Sequence, residues 1–186
     1  MRIALLATCA AFGMVAACST TPPATPGTPP PAPGTAHNAV ANLAAASGSL
    51  VSGKLSLMAM GDGVHIAGDV GGLAPGSTHG FHIHEKGDCS AADASSAGGH
   101  FNPTASPHGK AESGAHHAGD IDNIVADAGG VAHVDAHVAG VALGGGGSND
   151  IAGRAIVVHA APDDYASQPA GNAGARIACG VITVTD

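Results

Sequence analysis

Basic and aromatic side chains are both scarce in this 186-residue chain. Lys and Arg together number 6 against 14 Asp and Glu, which gives a formal net charge of −8 at pH 7. Binding to nucleic acid needs a basic surface that displaces counterions from phosphates, so this balance excludes nucleic acid as a partner. Aromatic residues make up only 2% of the chain, with no Trp and 1 Tyr, whereas His occurs 12 times. The histidines are therefore the unusual feature of the composition.

The chain also lacks a long hydrophobic run and a long helical pattern. Its apolar run, Ile3–Ala17, is too short to span a bilayer in the usual way and follows a positively charged start, as in a secretory signal. We therefore predict a signal peptide over residues 1–17. No apolar period of 3.6 residues continues through the rest of the chain, and the length suits one domain with appendages.

Cysteine is limited to 4 residues, each with a separate expected fate. Cys9 lies within the predicted signal. The sequence VAAC, Val15–Cys18, resembles a bacterial lipobox, so we expect Cys18 to carry lipid and to attach the protein to a membrane; the alternative is an ordinary signal cleaved nearby. Cys89 and Cys179 remain as a pair, and in an exported, oxidising compartment they predict a disulfide bond.

A proline-rich segment follows the lipobox. Ser19–Thr35 holds seven of the 12 prolines, a composition that cannot build a core and favours an extended tether. The predicted organisation is a signal over 1–17, a lipidated Cys and tether over 18–36, and a folded domain over 37–186. Ser19 differs from the usual inner-membrane retention signal, so we expect a periplasm-facing lipoprotein of the bacterial envelope, at the outer rather than the inner membrane.

The folded part consists of short alternating runs separated by Gly, Asp and Asn, a spacing typical of an antiparallel sandwich or barrel. These runs are Gly53–Met60, Val64–Val70, Val131–Val138, Gly153–His159 and Arg176–Thr185. The Ala-rich segment Ala39–Ser47 could be helical by propensity, but its surroundings favour a strand. Glu85–Asp120 and Ala160–Ala175 lack alternation, and loops of this length are usually functional or disordered.

The sequence GFHIH, Gly80–His84, places two histidines two residues apart. In a strand His82 and His84 share one face, while Phe81 and Ile83 share the other. The spacing alone is weak evidence, because polar strand faces are commonly solvated. Imidazoles suit Cu and Zn, and a carboxylate among them is common in zinc sites. Further candidate metal ligands occur in the two long segments and at the end of a strand: His100, His108, His117, Asp120 and His159.

The order of the motifs GFHIHE, GGHFNP, HG, HAGD, GRxxVVH, DD, NAGAR and ACGVI resembles copper/zinc superoxide dismutases over essentially all of residues 37–186. The resemblance implies an all-β fold, an eight-stranded Greek-key β-barrel (immunoglobulin-like sandwich) with two long functional loops around copper and zinc. It also implies an enzyme that converts superoxide to dioxygen and hydrogen peroxide by alternate reduction and oxidation of copper.

The same resemblance implies a role for each matching residue. The implied copper ligands are His82, His84, His100 and His159. The implied zinc ligands are His100, His108, His117 and Asp120, so that His100 bridges the two ions and takes up a proton during turnover. Asp163 resembles a carboxylate that links a copper-ligand ring to a zinc-ligand ring, and Arg176 resembles an arginine that attracts and orients superoxide. A Cys89–Cys179 bond would then anchor the first loop to the strand that presents Arg176.

The remaining histidines carry no metal-site expectation. His79 resembles a structural histidine, and the spacing to AGD selects His117 over His116. His133 and His137 fit a solvated strand face, and His37 and His65 give no signal beyond adventitious metal pickup.

Three alternatives stay open at this point. One is a copper/zinc-binding envelope lipoprotein of the same fold without significant turnover, although a store would need neither Arg176 nor a bridge at His100. The second loop has no Lys, so Lys86 and Lys110 of the first loop either steer the anionic substrate or are solvated surface charges. No feature marks a subunit interface, and a monomer and a homodimer are both compatible with the sequence.

Overall fold

The computed structural model describes residues 34–111 and 113–186. The signal peptide predicted over 1–17, the lipidation site Cys18 and most of the tether over 18–36 lie outside the described residues, so these domain boundaries stay predictions. Within the described ranges, no helix has the length and apolar character needed to cross a membrane.

Eight strands and one short 3-10 helix make up the regular structure of the described residues. The strands are β1 Asn38–Ala45, β2 Ser52–Met60, β3 Gly63–Gly71, β4 Thr78–His84, β5 Asp120–Val125, β6 Ala132–Ala139, β7 Ala155–His159 and β8 Arg176–Val184, and the 3-10 helix is Ser95–Ala97. The segment Ala39–Ser47 contains most of β1, which confirms a strand there. Strand β5 was not anticipated, because Asp122 and Asn123 are consecutive polar residues that break the alternation.

The strands form one antiparallel sheet in the order β5-β4-β7-β8-β1-β2-β3-β6. Strand β3 pairs with β6, and β4 pairs with β7. Pairing between strands that are not consecutive in the chain is characteristic of a Greek key. The two ends of the sheet, β5 and β6, are joined by a tight turn with a bridge between Ala126 and Ala132. The sheet is thus nearly closed, and the predicted all-β barrel is confirmed.

Alternation along the strands decides which side chains fill the barrel. On β2, Leu55 and Leu57 are buried whereas Lys54 and Ser56 are exposed, as a period of two requires. The turn into β3 needs Gly61, whose φ of 61° is in the left-handed region that side chains rarely adopt.

Strand β7 is buried on both faces, because the first long loop covers its outer side. Ile156 and Val158 belong to the main core, while Ala155 and Val157 pack into a second apolar cluster. That cluster also contains Ala94 and Ala97 from the loop and Cys179 from β8. A disulfide joins Cys179 to Cys89, as predicted from the sequence, so the loop is tied to β8 by a covalent bond and by apolar contact.

We predict that replacing both Cys89 and Cys179 by Ser lowers the free energy of unfolding by about 4 to 5 kcal/mol in the chain-entropy account. The reason is that the bridge closes a loop between residues separated by 90 positions. Urea unfolding of the metal-free protein measures the change, and wild-type protein treated with a reductant should match the double variant. A loss below about 1 kcal/mol would contradict this expectation.

Candidate metal centre

Strand β4 separates the barrel interior from a cluster of histidines. Phe81 and Ile83 are fully buried in the main core, whereas His82 and His84 lie on the opposite face under the long loops and are also buried. The sequence-based prediction that the two pairs occupy different faces is therefore confirmed. Two imidazoles without solvent access need partners other than water.

The buried side chains form two adjoining groups, in each of which one ligand atom per residue lies within 4.8 Å of the others. The first group, which we name the four-histidine cluster, contains His82, His84, His100 and His159. The second, which we name the carboxylate cluster, contains His100, His108, His117 and Asp120. The structure thus brings together all seven side chains that the sequence predicted.

Local backbone structure puts these side chains in place. His159 ends β7, and the first loop returns alongside β4 so that His100 forms a bridge with His84. The amide of Phe101 donates to the carbonyl of Ile83 at 2.8 Å, which fixes the register of that return. Asp120 opens β5 directly opposite His82, and its amide donates to the carbonyl of His117 at 3.1 Å. The end of β7, the start of β5 and the loop segment that pairs with β4 therefore meet at one edge of the barrel.

His100 belongs to both groups and has one ring nitrogen for each. Its Nδ1 lies 2.8 Å from Asp120 Oδ1 and 3.4 Å from His117 Nδ1, within the carboxylate cluster. Its Nε2 is buried and has no hydrogen-bond partner among the described residues. A single ring therefore links the two groups.

Unpartnered buried nitrogens support the fit of metal ions to both groups. Besides His100 Nε2, the buried ring nitrogens without a hydrogen bond among the described residues are His82 Nδ1 and His108 Nδ1. The latter lies 3.0 Å from Asp120 Oδ2 but without hydrogen-bond geometry. In the four-histidine cluster, His84 Nε2 and His159 Nε2 are 3.4 Å apart. Buried polar atoms normally have partners, and unprotonated ring nitrogens are the ligands that Cu and Zn bind.

Asp163 links the two groups from the second loop. Its Oδ2 lies 2.8 Å from His82 Nε2, and its Oδ1 lies 2.9 Å from His108 Nε2. Both rings donate through Nε2 to this carboxylate, which leaves each Nδ1 with a free lone pair directed away from it. Gly171 leaves room for the contact, since a Cβ at that position would lie 1.7 Å from Asp163 Oδ1. One carboxylate therefore sets the tautomer of a ring in each group.

Burial favours the neutral form of three rings of the four-histidine cluster. Desolvation, with a smaller contribution from neighbouring His100, lowers the pKa of His82 to about 4, that of His84 to about 2 and that of His159 to about 3. In the carboxylate cluster burial also lowers the pKa of His117, against the charge of Asp120. Neutral imidazoles are the form that binds metal ions, so these rings need little deprotonation at neutral pH.

The two buried carboxyl groups stay ionised despite burial. Burial raises their pKa values, but hydrogen bonds from rings and amides outweigh this and lower the pKa of both Asp120 and Asp163. His108 contacts both; burial disfavours its charge, yet the two carboxylates outweigh that effect and raise its pKa. The carboxylate cluster thus provides the fixed negative charge that a divalent ion requires.

Arg176 lies beside the four-histidine cluster and is held by the first loop. Its Nη1 donates to the carbonyl of Ala94 at 2.7 Å and its Nη2 to that of Gly98 at 2.6 Å. The Gly98 carbonyl also accepts from His84 Nδ1 at 2.9 Å. The guanidinium and a cluster ring therefore share one anchor, on the loop that the disulfide ties down.

Two polar residues that the sequence did not single out hold the loops together. Asn123 exchanges two hydrogen bonds with the backbone of Asp163, at 2.8 and 2.9 Å. Gln168 does the same with the backbone of His108, at 2.8 and 2.9 Å. All four hydrogen bonds span distant parts of the chain, so no local pattern could have found them. Together they fix the second loop to β5 and to the carboxylate cluster.

Four other histidines lie outside the two clusters. His79 is buried between Ser77 Oγ and the carbonyl of His159, as expected of a structural residue. His116 bonds to the carbonyl of His117 rather than entering the cluster. His133 and His137 lie on the exposed face of β6, as predicted.

Comparisons with known proteins agree with this geometry. The family model described as copper/zinc superoxide dismutase (SODC) matches residues 51–182. Superoxide dismutase (Cu-Zn) 2 of Aquifex aeolicus is 45% identical over 135 residues, which is 71% of this chain and 79% of that protein. The Cu-Zn superoxide dismutase of Caulobacter vibrioides is 46% identical over 125 residues, covering 64% of this chain and 71% of its own length.

Solved structures show the same similarity. A SOD-like protein from Bacillus subtilis, crystallised as a double mutant, superposes with a TM-score of 0.71 at 38% identity, covering 77% of this chain and 96% of that chain. The clock protein EA4 superposes with a TM-score of 0.72 at 37% identity, covering 81% of this chain and 96% of its own.

We predict that the metal-free protein loses stability as the pH falls from 7 to 5. The unfolded chain takes up protons on its imidazoles near pH 6.5, whereas the folded His82, His84 and His159 resist protonation down to pH values of about 4, 2 and 3. The unfolded state then binds more protons, which lowers the free energy of unfolding; the raised pKa of His108 opposes this only in part. Urea midpoints that stay constant or rise on acidification would contradict the prediction.

Proposed function

The chain belongs to the copper/zinc superoxide dismutase family, and we propose that its two buried clusters are the copper and zinc sites of that enzyme. As a member of the family it is an oxidoreductase that uses copper and zinc and acts on superoxide. The observation that carries the assignment to particular residues is the position of His100, whose two ring nitrogens serve two adjoining clusters.

The donor sets support a distinct ion for each cluster. The four-histidine cluster of His82, His84, His100 and His159 offers only imidazole nitrogens, which tolerate both oxidation states of copper. The carboxylate cluster of His100, His108, His117 and Asp120 offers a charged oxygen as well, a familiar set for redox-inert zinc. When bound, copper supplies the one-electron oxidation of one superoxide to dioxygen and the reduction of another to hydrogen peroxide, beside the fixed charge of zinc.

The protein's own groups would bind the anion, move a proton and hold the rings. Arg176 offers a positive charge next to the four-histidine cluster, in a half-buried position where Coulomb attraction is stronger than in water. His100 Nε2 has no hydrogen-bond partner in the part of the chain that the structure describes, so it is the atom suited to carry a proton toward product. Asp163 keeps the rings of His82 and His108 in the tautomer that leaves Nδ1 free.

Positive charge beside the four-histidine cluster has to overcome the net negative charge of the whole protein if an anion is to be attracted. The formal net charge is −8 and the substrate is an anion, so attraction must act within a Debye length of about 8 Å. Lys110 of the first loop lies 3.6 Å from Asp122 and over the ring of Tyr165 at 5.2 Å, which offsets part of its charge. Arg176 is therefore the main positive side chain that we assign to substrate attraction.

A protein that binds both metals without turnover is the less favoured alternative. A fold alone does not define an activity, and one structural neighbour is named for a different role, as the clock protein EA4. A storage protein has no need for an arginine anchored to the same carbonyl as a cluster ring. The arrangement of Arg176 and His84 supports the enzyme.

We further propose that the protein is exported and attached to the envelope by lipid on Cys18. The disulfide fits an oxidising compartment, and one relative, from Brugia pahangi, is named an extracellular Cu-Zn superoxide dismutase at 43% identity over 129 residues. The lipobox-like sequence before Cys18 and the difference of Ser19 from an inner-membrane signal support a lipoprotein of the outer membrane.

Lipid attachment is expected at one residue. Cells that express the full chain with a labelled lipid precursor should yield labelled protein, and Cys18→Ser should abolish the label while Cys9→Ser leaves it, because only Cys18 follows the lipobox-like sequence. Wild-type protein without label would overturn the proposal and leave a protein without a lipid anchor.

The assignment of the copper site is tested with His159→Ala. This variant loses one imidazole of the four-histidine cluster but none of the carboxylate cluster. We expect more than about a 100-fold loss of copper affinity and of superoxide consumption, with zinc retained. His133→Ala, which removes an exposed histidine, is the matched control and should keep both. Full copper occupancy in His159→Ala, measured by metal analysis, would refute the assignment.

The role of Arg176 is tested through salt dependence. Arg176→Leu should slow turnover and flatten the dependence of rate on ionic strength, because a screened attraction has been removed. Lys54→Leu removes the same charge from the exposed face of β2 and should change neither. If Arg176→Leu consumed superoxide at the wild-type rate with the wild-type salt dependence, Arg176 would have no part in attracting the substrate.

A further inference from the structure

A second group of metal-binding side chains lies on the outer face of β2, β3 and β6. His65 on β3 pairs with Met58 on β2 and with His137 on β6, so the three residues form one row across three strands. Directly opposite residues on antiparallel strands point to the same face with Cβ atoms about 4.5 to 5.5 Å apart. None of the three belongs to either buried cluster.

The two imidazoles of this row are accessible and each has a carboxylate beside it. His65 Nε2 lies 3.3 Å from Asp135 Oδ1, and His137 Nε2 lies 2.9 Å from Asp62 Oδ1. The side chains of His65 and His137 are 29% and 35% exposed, whereas both carboxylates are more than four-fifths exposed. Exposed side chains change rotamer readily, so the two rings can converge on one ion without disturbing the barrel.

Met58 adds a sulfur donor at the end of the row. It is 50% exposed, and Met60 next to it on the same face is 55% exposed. They are the only two methionines within the described ranges, and both lie at this edge of the face. A thioether beside two imidazoles is a donor set that favours copper, in particular Cu(I), over zinc.

The surroundings leave room for an ion and its remaining ligands. A cavity of about 210 Å³ adjoins the row, and its lining includes Asp122, Asp135 and His137. The lining also includes Asp120, so both buried clusters must be filled before binding at the surface is measured.

A neighbouring pair on the same face shows what an ordinary surface contact looks like. His133 lies opposite Asp69 in the register and 2.7 Å from its Oδ1, and neither a second histidine nor a methionine pairs with it. The row of Met58, His65 and His137 differs by placing three nitrogen and sulfur donors side by side.

We propose that Met58, His65 and His137 form a surface site that captures one copper ion from solution, with the Asp135 carboxylate as an additional ligand. The site lies outside the catalytic centre and its occupancy does not depend on turnover. Competing contacts are weak, because exposed ion pairs contribute little free energy.

The test uses protein whose buried clusters already hold one copper and one zinc, with the copper kept reduced. Cu(I) is added without oxygen in competition with a chromogenic Cu(I) chelator. We expect one further Cu(I) per chain, with affinity reduced more than about 100-fold in the double variant His65→Gln/His137→Gln, which loses two direct donors. Met58→Leu should weaken Cu(I) binding but leave the binding of Zn(II) unchanged, and His133→Gln should behave as wild type.

Superoxide consumption and urea unfolding serve as controls for these variants. All the substituted residues lie away from the buried clusters, so activity and stability should stay at the wild-type level. The proposal is overturned if no copper binds beyond the buried clusters, if the extra ion persists in the double variant, or if Met58→Leu leaves the Cu(I) affinity unchanged.

Discussion

The burial of six imidazoles and two carboxylates at one edge of a small barrel is the constraint on which the rest of this structure depends. Polar groups removed from water need partners, and within residues 34–111 and 113–186 three buried ring nitrogens have none. Asp163 satisfies one side of His82 and of His108, which leaves their free nitrogens available to ions. The same burial keeps His82, His84 and His159 uncharged, so these rings are ready to bind metal.

The barrel and its loops supply this arrangement by separate means. Strand alternation places Phe81 and Ile83 in the core and thereby turns His82 and His84 toward the loops. The disulfide and the cluster of small apolar side chains hold the first loop, whose carbonyls in turn anchor Arg176. Gln168 and Asn123 fix the second loop. Rigid elements thus present the rings, and tied loops cover them, as a precisely positioned site requires.

The sequence alone predicted the barrel, most of its strands and all seven side chains of the two clusters, because alternation and the order of several motifs are local signals. It missed β5, where Asp122 and Asn123 break the alternation, and it could not find Gln168 or Asn123, whose partners are distant in the chain. It also gave no signal at His65 beyond adventitious metal pickup and placed His137 on a solvated strand face. Only the strand register sets them side by side with Met58, since a shift of one residue would turn them to the other face.

The central claim is that the ring of His100 joins two ions, and electron paramagnetic resonance of the protein with Cu(II) in the four-histidine cluster and Co(II) in the carboxylate cluster tests it most directly. A shared ring couples the two spins, so we expect the Cu(II) signal to be strongly diminished when Co(II) is present and restored when Zn(II) replaces it. An undiminished Cu(II) signal in protein shown to hold both ions would contradict the account.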